Sequence, residues 1–456
     1  MDAFAAFVSK LNSFVWGPYM LVFLVGTGIF LTLRLGFLQV RTLPYALKLA
    51  FSPRQQDKKS EGDISHFHAL MTALAATIGT GNIAGVATAV FTGGPGAVFW
   101  MWVTAFFGMA TKYGEAILAV KYRIVDEKGE MAGGPMYYID RGLKLKWLAW
   151  AFAFFGAFAS FGIGNMTQTN SVAMAMNGTF GISPIITGII LAILTGAVIL
   201  GGIQSIGRVT GFVVPFMAIF YVLGGLAIIV LNLDKLGPAL ALILSDAFTG
   251  QAVAGGALGT VIRYGVARGV FSNEAGLGSA PIAAAAAKTD HPGRQALVSM
   301  TGTFLDTIVV CSITGIVLAM AGLYTGEASG AQLTIASFEA FLPGMGKYIV
   351  TIGLIFFAYS TVLGWSYYGE KCFQYIFSRK AVVYYRYAFV IATFIGCTLE
   401  LDLVWDIADT LNGAMAIPNL IGLLGLSGVI VSETKSFMEI RKREKQAERS
   451  GTSIGA

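Results

Sequence analysis

The chain has 456 residues, of which 55% are hydrophobic and only 12% charged, with a formal charge of +6 and a mean hydropathy of +0.70. Soluble domains carry about 25% charged residues, so this chain has too few to cover a water-exposed surface. The composition excludes a soluble globular protein and points to membrane spans of about 20 apolar residues each. The basic excess then belongs to the loops of the inner membrane face rather than to nucleic-acid binding.

The N-terminus, MDAFAAFVSK, has neither the basic start nor the cleavage site of a signal peptide, so the first apolar run is expected to stay in the mature protein. Apolar segments follow near 14–33, 66–91, 96–120, 147–172, 184–203, 209–231, 256–287, 295–323, 346–377, 383–399 and 403–432. The count is about eleven transmembrane helices in one all-α polytopic domain. No loop is long enough to fold alone.

Charge tests this count independently. With the N-terminus outside, the inner loops are 34–65, 121–146, 204–208, 288–294, 371–386 and the tail 433–456, and they hold 25 of the 31 Lys and Arg residues. Arg34, Arg41, Lys48, Arg54, Lys58 and Lys59 fall in the first. Lys10, Lys235 and Lys347 lie outside, near acids such as Asp234, Glu339 and Glu400. A wrong span count would scramble the alternation, so the expected topology is a multi-pass cell-membrane protein with N outside and C cytoplasmic. Segment 38–51 alternates basic and apolar residues and is expected on the inner membrane surface. The basic tail reads as a solvated helix end, with attraction to anionic lipid as the alternative. Cys311, Cys372 and Cys397 show no CxxC spacing, which indicates neither disulfides nor zinc.

Two spans are interrupted by glycine. The second reads ALAATIGTGNIAGVATAV and the seventh GVARGVFSNEAGLGSAPIAAAA, with four spans between them. If each opens a five-helix unit, the odd number inverts the second unit in the membrane. Broken helices in corresponding positions of inverted repeats mark many secondary transporters. The first span then precedes repeats 66–231 and 256–432 as an extra helix. Unwound backbone in hydrocarbon costs several kcal/mol per unpaired group, so it survives only where protein, ligand or water satisfies it. A half-helix N-terminus offers N–H groups to a carboxylate, and freed carbonyls take a cation. Close packing is the rival reading of Gly81 and Gly85. Asn82, Ser272, Asn273 and Glu274 argue against it, because polar groups in spans are costly unless used. GTGNIAG lacks the preceding strand and the following GK[ST] of a nucleotide loop.

The segments GTGNIAGVATA (79–89), GGPGAVFWMWVTAFFG (93–108) and GVFSNEAGLGSAPIA (269–283) resemble the hallmark segments of the alanine or glycine:cation symporters, the sodium:alanine symporter family. The likeness covers almost the whole chain. It implies a 5+5 inverted repeat of the leucine-transporter type behind one extra N-terminal helix. In that fold the unwound first repeat helix binds a substrate carboxylate through backbone amides. Matching Gly-x-Gly-Asn puts those amides at Thr80 and Gly81, with Gly79 giving room and Asn82 approaching ion and substrate. The resemblance also implies a sodium ion held by the carbonyls of Ala75 and Ile78 and the hydroxyls of Ser360 and Thr361. Oxygen-only ligands suit a hard cation.

Further candidates come from polarity in the spans. Asn165 and Gln168 are three apart and are expected to share a face, with Gln168 reaching either substrate or a neighbouring helix. Phe271 and Trp365 are candidates to close over the substrate, with core packing as the alternative. Lys112 and Glu115 are expected to pair as a structural bridge. Arg263 and Arg268 precede the second break. Glu274 stabilises that break or couples an ion, Asp306 lies in the eighth span, and His66 and His68 mark the cytoplasmic mouth of the second.

The expected function is inward symport of alanine, glycine or a similar small neutral amino acid with Na⁺ by alternating access, and the rival is proton coupling through Glu274, Asp306 or a histidine. No HExxH, GxSxG or paired-carboxylate motif indicates an enzyme. The expected partners are the amino acid, sodium and the lipid bilayer, without nucleic acid or a tightly bound cofactor. A monomer of prokaryotic origin is expected.

Overall fold

The computed structural model describes residues 2–52, 60–248, 259–399 and 402–450. Arg54, Lys58, Lys59, Glu400, positions 256–258 of the seventh expected span and the last six residues of the tail lie outside the described residues.

Helix coincides with each of the eleven apolar segments. The first is covered by α1 (Asp2–Val15) and α2 (Pro18–Arg34), so helix starts well before residue 14. After α3 (Leu38–Phe51), the second segment divides into α4 (His66–Thr77) and α5 (Val86–Gly93), bent by 53°. The third is α6 (Gly96–Lys121). A short hairpin, β1 (Ile124–Val125) and β2 (Met131–Ala132), and α7 (Pro135–Tyr138) lead to α8 (Lys146–Phe161), α9 (Thr167–Phe180), α10 (Pro184–Ile199), α11 (Gly202–Leu231) and α12 (Leu233–Asp246). The seventh segment is α13 (Thr260–Asn273) and α14 (Pro281–Ala285). Then come α15 (Pro292–Thr303), α16 (Ser312–Ala321), α17 (Gly330–Phe341), α18 (Gly346–Ile376), α19 (Val382–Thr398), α20 (Asp402–Gly425) and α21 (Ser427–Ser450).

Among the described residues, seven helices are long and apolar enough to cross a bilayer, and the bent pair α4–α5 makes an eighth. The other three expected spans depart from that simple test for visible reasons. Helix α6 carries Lys112 and Glu115, α10 has only 16 residues, and the seventh span is interrupted. Ile185, Ile189 and Ile193 on α10 and Phe212, Phe216 and Leu223 on α11 are exposed, which is the pattern of faces that meet lipid rather than water. Inside, α13 and α15 pack along α6, and α18 runs against α4, α8, α9 and α11.

The amphipathic segment 38–51 forms α3, burying Leu38, Thr42, Ala46 and Leu49 while Val40, Arg41, Lys48 and Phe51 face outward. The tail departs from a solvated helix end, because one face of α21 is packed. Phe437 is fully buried beside Gly293, Arg441 lies 3.9 Å from the Tyr45 ring centroid, Glu433 pairs with Lys121 at 2.8 Å, and Glu444 pairs with Arg294 at 2.6 Å. These contacts gather α3, α21 and the start of α15 at one end of the bundle, its basic face. Phe437→Ala should cost about 3–5 kcal/mol of local packing and release α21. Limited proteolysis of the tail should accelerate, with the spans left intact.

Candidate functional site

The first break follows from its residues. Helix α4 opens with Ser65 as N-cap, its Oγ accepting from the His68 N–H at 3.2 Å. It unwinds at Ile78 and Gly79 and resumes as a π turn over Gly81–Gly85. The freed groups find partners. Gly79 N–H donates to Asn82 Oδ1 at 2.9 Å, and Thr80 N–H to Gln168 Oε1 at 3.3 Å. Thr314 Oγ1 donates to the Asn82 carbonyl at 2.8 Å, and Thr334 Oγ1 to that of Ile83 at 3.1 Å. Backbone in hydrocarbon is thereby tolerated.

Four oxygens converge beside this break. Ser360 Oγ lies 3.2 Å from the Ala75 carbonyl and 3.5 Å from that of Ile78, and Thr361 Oγ1 lies 3.4 Å from the Ile78 carbonyl. Both hydroxyls also reach the Phe357 carbonyl within their own helix, at 2.9 and 3.0 Å. A Cβ at Gly79 would collide with Thr361 Oγ1, so only glycine lets the unwound strand approach α18 this closely. The set is all oxygen and carries no formal charge, suited to a hard monovalent cation.

A second polar cluster centres on Asp306, which the sequence offers as a buried acid and a candidate for proton coupling. It sits in a π turn over Phe304–Cys311. Its carboxylate accepts from Asn82 Nδ2 at 2.7 Å, Ser272 Oγ at 2.8 Å and Thr307 Oγ1 at 2.8 Å. Asn273 Nδ2 joins through Thr307 Oγ1 at 3.1 Å, and Cys311 Sγ lies 3.2 Å from Ser272 Oγ. Asn82, Ser272 and Asn273, from the two breaks, therefore meet through one carboxylate. Thr307 and Cys311 escape a sequence reading because a π turn bonds i to i+5 and disrupts the 3.6-residue periodicity.

Phe271 lies where closure over the first break is possible: a Cβ at Gly81 would come within 3.3 Å of its ring. Arg268 stands 5.5 Å from the same ring. Beyond it a cavity of about 320 Å³, lined by Thr80, Gly81, Arg268, Phe271, Asp406 and Asp409, opens away from the basic face. Asn12 of α1 donates to Asp409 Oδ2 at 3.3 Å, so the extra N-terminal helix borders this vestibule.

Several expectations need correction. Asn165 and Gln168 do not act on one face: Gln168 meets Thr80, whereas Asn165 Nδ2 donates to the Phe389 carbonyl of α19 at 2.8 Å. A π turn over Gly162–Met166 separates them. Trp365 is tied to the second break, its Nε1 donating to Glu274 Oε1 at 2.9 Å while the ring packs against Gly164. Lys112 and Glu115 do not pair with one another among the described residues. Lys112 Nζ donates to the Asn273 carbonyl at 2.7 Å, and Glu115 Oε1 accepts from Gly276 N–H at 3.0 Å and Asn419 Nδ2 at 2.7 Å. Lys112 holds the last residue of α13, and Glu115 holds the unwound segment 274–280 that follows, which needs Glu274 at φ 56° and Gly276 at φ 91°. Ser279 Oγ closes that segment onto Glu274 Oε2 at 2.5 Å. His66, expected as a solvated end or a gate residue at the mouth of the second span, is fully buried against Gln295 at 2.5 Å, which excludes the solvated end.

Comparison with known proteins agrees with this architecture. The sodium:alanine symporter family model matches residues 1–451. The sodium/alanine symporter AgcS of Methanococcus maripaludis is 70% identical over 97% of this chain and 99% of that protein. The amino-acid carrier protein AlsT of Bacillus subtilis is 37% identical over 96% of this chain and 93% of that protein. The crystal structure of MhsT in complex with L-phenylalanine superposes with a TM-score of 0.61 at 13% identity, over 82% of this chain and 93% of that one, which places the fold in the leucine-transporter class. The family and these relatives are transporters, not enzymes. The chain belongs to the sodium:alanine symporter family.

Proposed function

We propose that this protein carries alanine, or a similarly small neutral amino acid such as glycine, into the cell together with Na⁺. The observation that carries this reading is the convergence of Ala75, Ile78, Ser360 and Thr361 beside an unwound backbone. In this reading the four oxygens hold the ion, and the Thr80 and Gly81 amides receive the carboxylate. Gln168 Oε1, which takes the Thr80 amide here, gives way to the substrate. Asn82, Ser272 and Asn273 border the pocket, Phe271 closes it from the vestibule, and Trp365 supports it from below by holding Glu274.

The basic face is cytoplasmic by the positive-inside rule, so the vestibule opens outward, the N-terminus lies outside and the tail inside. The protein works as a monomer in a prokaryotic cell membrane, with no tightly bound cofactor. The driving force is sufficient. One Na⁺ crossing 100 mV releases about 2.3 kcal/mol, and a tenfold gradient adds about 1.4 kcal/mol, enough for roughly 500-fold accumulation. The second reading is proton coupling, motivated by the buried carboxylates Asp306 and Glu274 among hydroxyl partners.

The test is uptake of labelled alanine into liposomes holding the purified protein. Accumulation should occur with an inward Na⁺ gradient and not with choline. Accumulation driven by a proton gradient without sodium would replace sodium coupling by the second reading. No uptake under either gradient, from protein shown to be folded, would remove alanine as the substrate.

A further inference from the structure

On the other side of the first break, toward the basic face, the space between α4 and α14 is closely packed. What remains of it is a void of about 10 Å³ beside Thr77, Lys112, Ala280, Pro281 and Ser299, hardly room for one water. The half-helices α4 and α14 bound this void. Their leads meet in an unusual way, by strand-type pairing between two otherwise helical spans. Ile64 pairs with Ala287 in a parallel bridge. Asp63 and Ile64 N–H groups donate to the Ala286 carbonyl at 2.8 and 3.2 Å, and Lys288 N–H donates back to the Ile64 carbonyl at 2.7 Å.

Arg123, just beyond α6, sits across this seam. Its guanidinium donates to the carbonyls of Ala285 at 3.0 Å and Ala287 at 2.7 Å on one side, and to that of Glu61 at 2.8 Å on the other. One planar fork thereby staples both backbones. The hairpin reinforces it. Asp63 Oδ2 accepts from the Met131 N–H at 2.9 Å, while Asp126 and Glu130 of the same hairpin are held by Gln374 at 3.0 Å, at the end of α18, and by Arg379 at 2.7 Å, just beyond it. The seam is therefore anchored, through the hairpin, to a helix that supplies two of the four converging oxygens.

We infer that this Arg123-stapled backbone seam is the cytoplasmic gate, and that residues 61–64 must part from 285–288 for the site to open inward. The inference rests on the transport reading for its direction, but its geometry does not depend on which substrate is carried. Backbone-to-backbone bonds suit the task because they are numerous enough to close the path, yet each contributes only about 0.5–1.5 kcal/mol net and can be exchanged for water. Arg123 and Asp63 are positioning residues, acting through the backbone they hold.

The test uses full-length protein carrying Ala280→Cys, a small change at the shut end of the path, with native Cys311, Cys372 and Cys397 buried and the unmodified protein as background. In inside-out vesicles, a membrane-impermeant thiol reagent should label Cys at 280 about tenfold faster once Arg123→Ala is added, because loss of the staple shifts the population toward the inward-open state. An unchanged rate in protein with an unchanged melting temperature would overturn the inference. This readout needs no substrate. If Arg123→Ala does not fold, a second variant decides. Ile64→Cys with Ala287→Cys places two thiols on paired strands about 4.8 Å apart, within disulfide reach. Oxidised, it should still bind alanine from outside yet transport none, and a reductant should restore uptake. Undiminished transport by the oxidised protein would show that the seam never opens. Absence of uptake from both the wild type and the reduced variant would count against the alanine reading instead.

Discussion

Asp306→Ala should abolish ion-driven uptake, by at least about 100-fold, while leaving the spans assembled. The carboxylate accepts from Asn82, Ser272 and Thr307 at once. Removing it takes the best acceptor from three buried donors, leaving Asn82 and Ser272 the longer contacts with Cys311 Sγ at 3.3 and 3.2 Å. Each weakened donor costs up to about 1–3 kcal/mol, and the link between the first break and the second is removed. Asp306→Asn separates two contributions. It keeps the shape but loses the charge, and it turns an amide donor toward donors that need an acceptor. Uptake and the melting temperature should be read together on both variants. An Asp306→Asn protein with full sodium-driven uptake would mean that the carboxylate's charge plays no part in coupling.

Thr361→Ala should raise the sodium concentration for half-maximal uptake by about tenfold or more, equivalent to about 1.4 kcal/mol or more, with little loss of stability. The asymmetry comes from the hydroxyl's position. It bonds back to the Phe357 carbonyl in its own helix, which also accepts from Ser360, so its removal orphans no buried donor. The Ile78 carbonyl keeps its longer contact with Ser360 at 3.5 Å. Thr361→Ser should restore the sodium dependence. Unchanged sodium dependence in a folded Thr361→Ala protein would place the ion elsewhere.

Much of the fold is legible in the sequence because a bilayer makes each helix announce itself by apolar length, and because loop charge records sidedness. The breaks are legible because glycine is the residue that tolerates unwound, closely packed backbone, as Gly79 and Gly276 show. The grouping of Ala75 and Ile78 with Ser360 and Thr361 rested on family resemblance, since no local pattern joins residues almost three hundred positions apart. What stays hidden has one main cause. Side-chain direction in these spans is reset by π turns, so helical spacing assigns Asn165 to the wrong neighbour and gives no hint that Asp306 gathers Asn82 and Ser272. The partners of Lys112 and Glu115 stay hidden for a related reason: i, i+3 spacing points each to the other, but unpaired backbone at the second break offers both a better use. Nothing in segment 121–132 announces a seam, because its key bonds run from a guanidinium to carbonyl oxygens, which every residue possesses.

The π turns at Gly81–Gly85, Gly162–Met166 and Phe304–Cys311 have a consequence for how this gene can change. Each equals an α-helix that has gained one residue, and each holds a buried polar residue (Asn82, Asn165 or Asp306) that reaches to a neighbouring helix. Deleting a single residue there would restore regular helix and rotate all that follows by about 100°, turning the polar groups toward neighbours with nothing to offer them. Substitutions within these turns alter local fit, whereas a one-codon deletion re-aims half a span. The chain's tolerance to length change is lowest at these π turns.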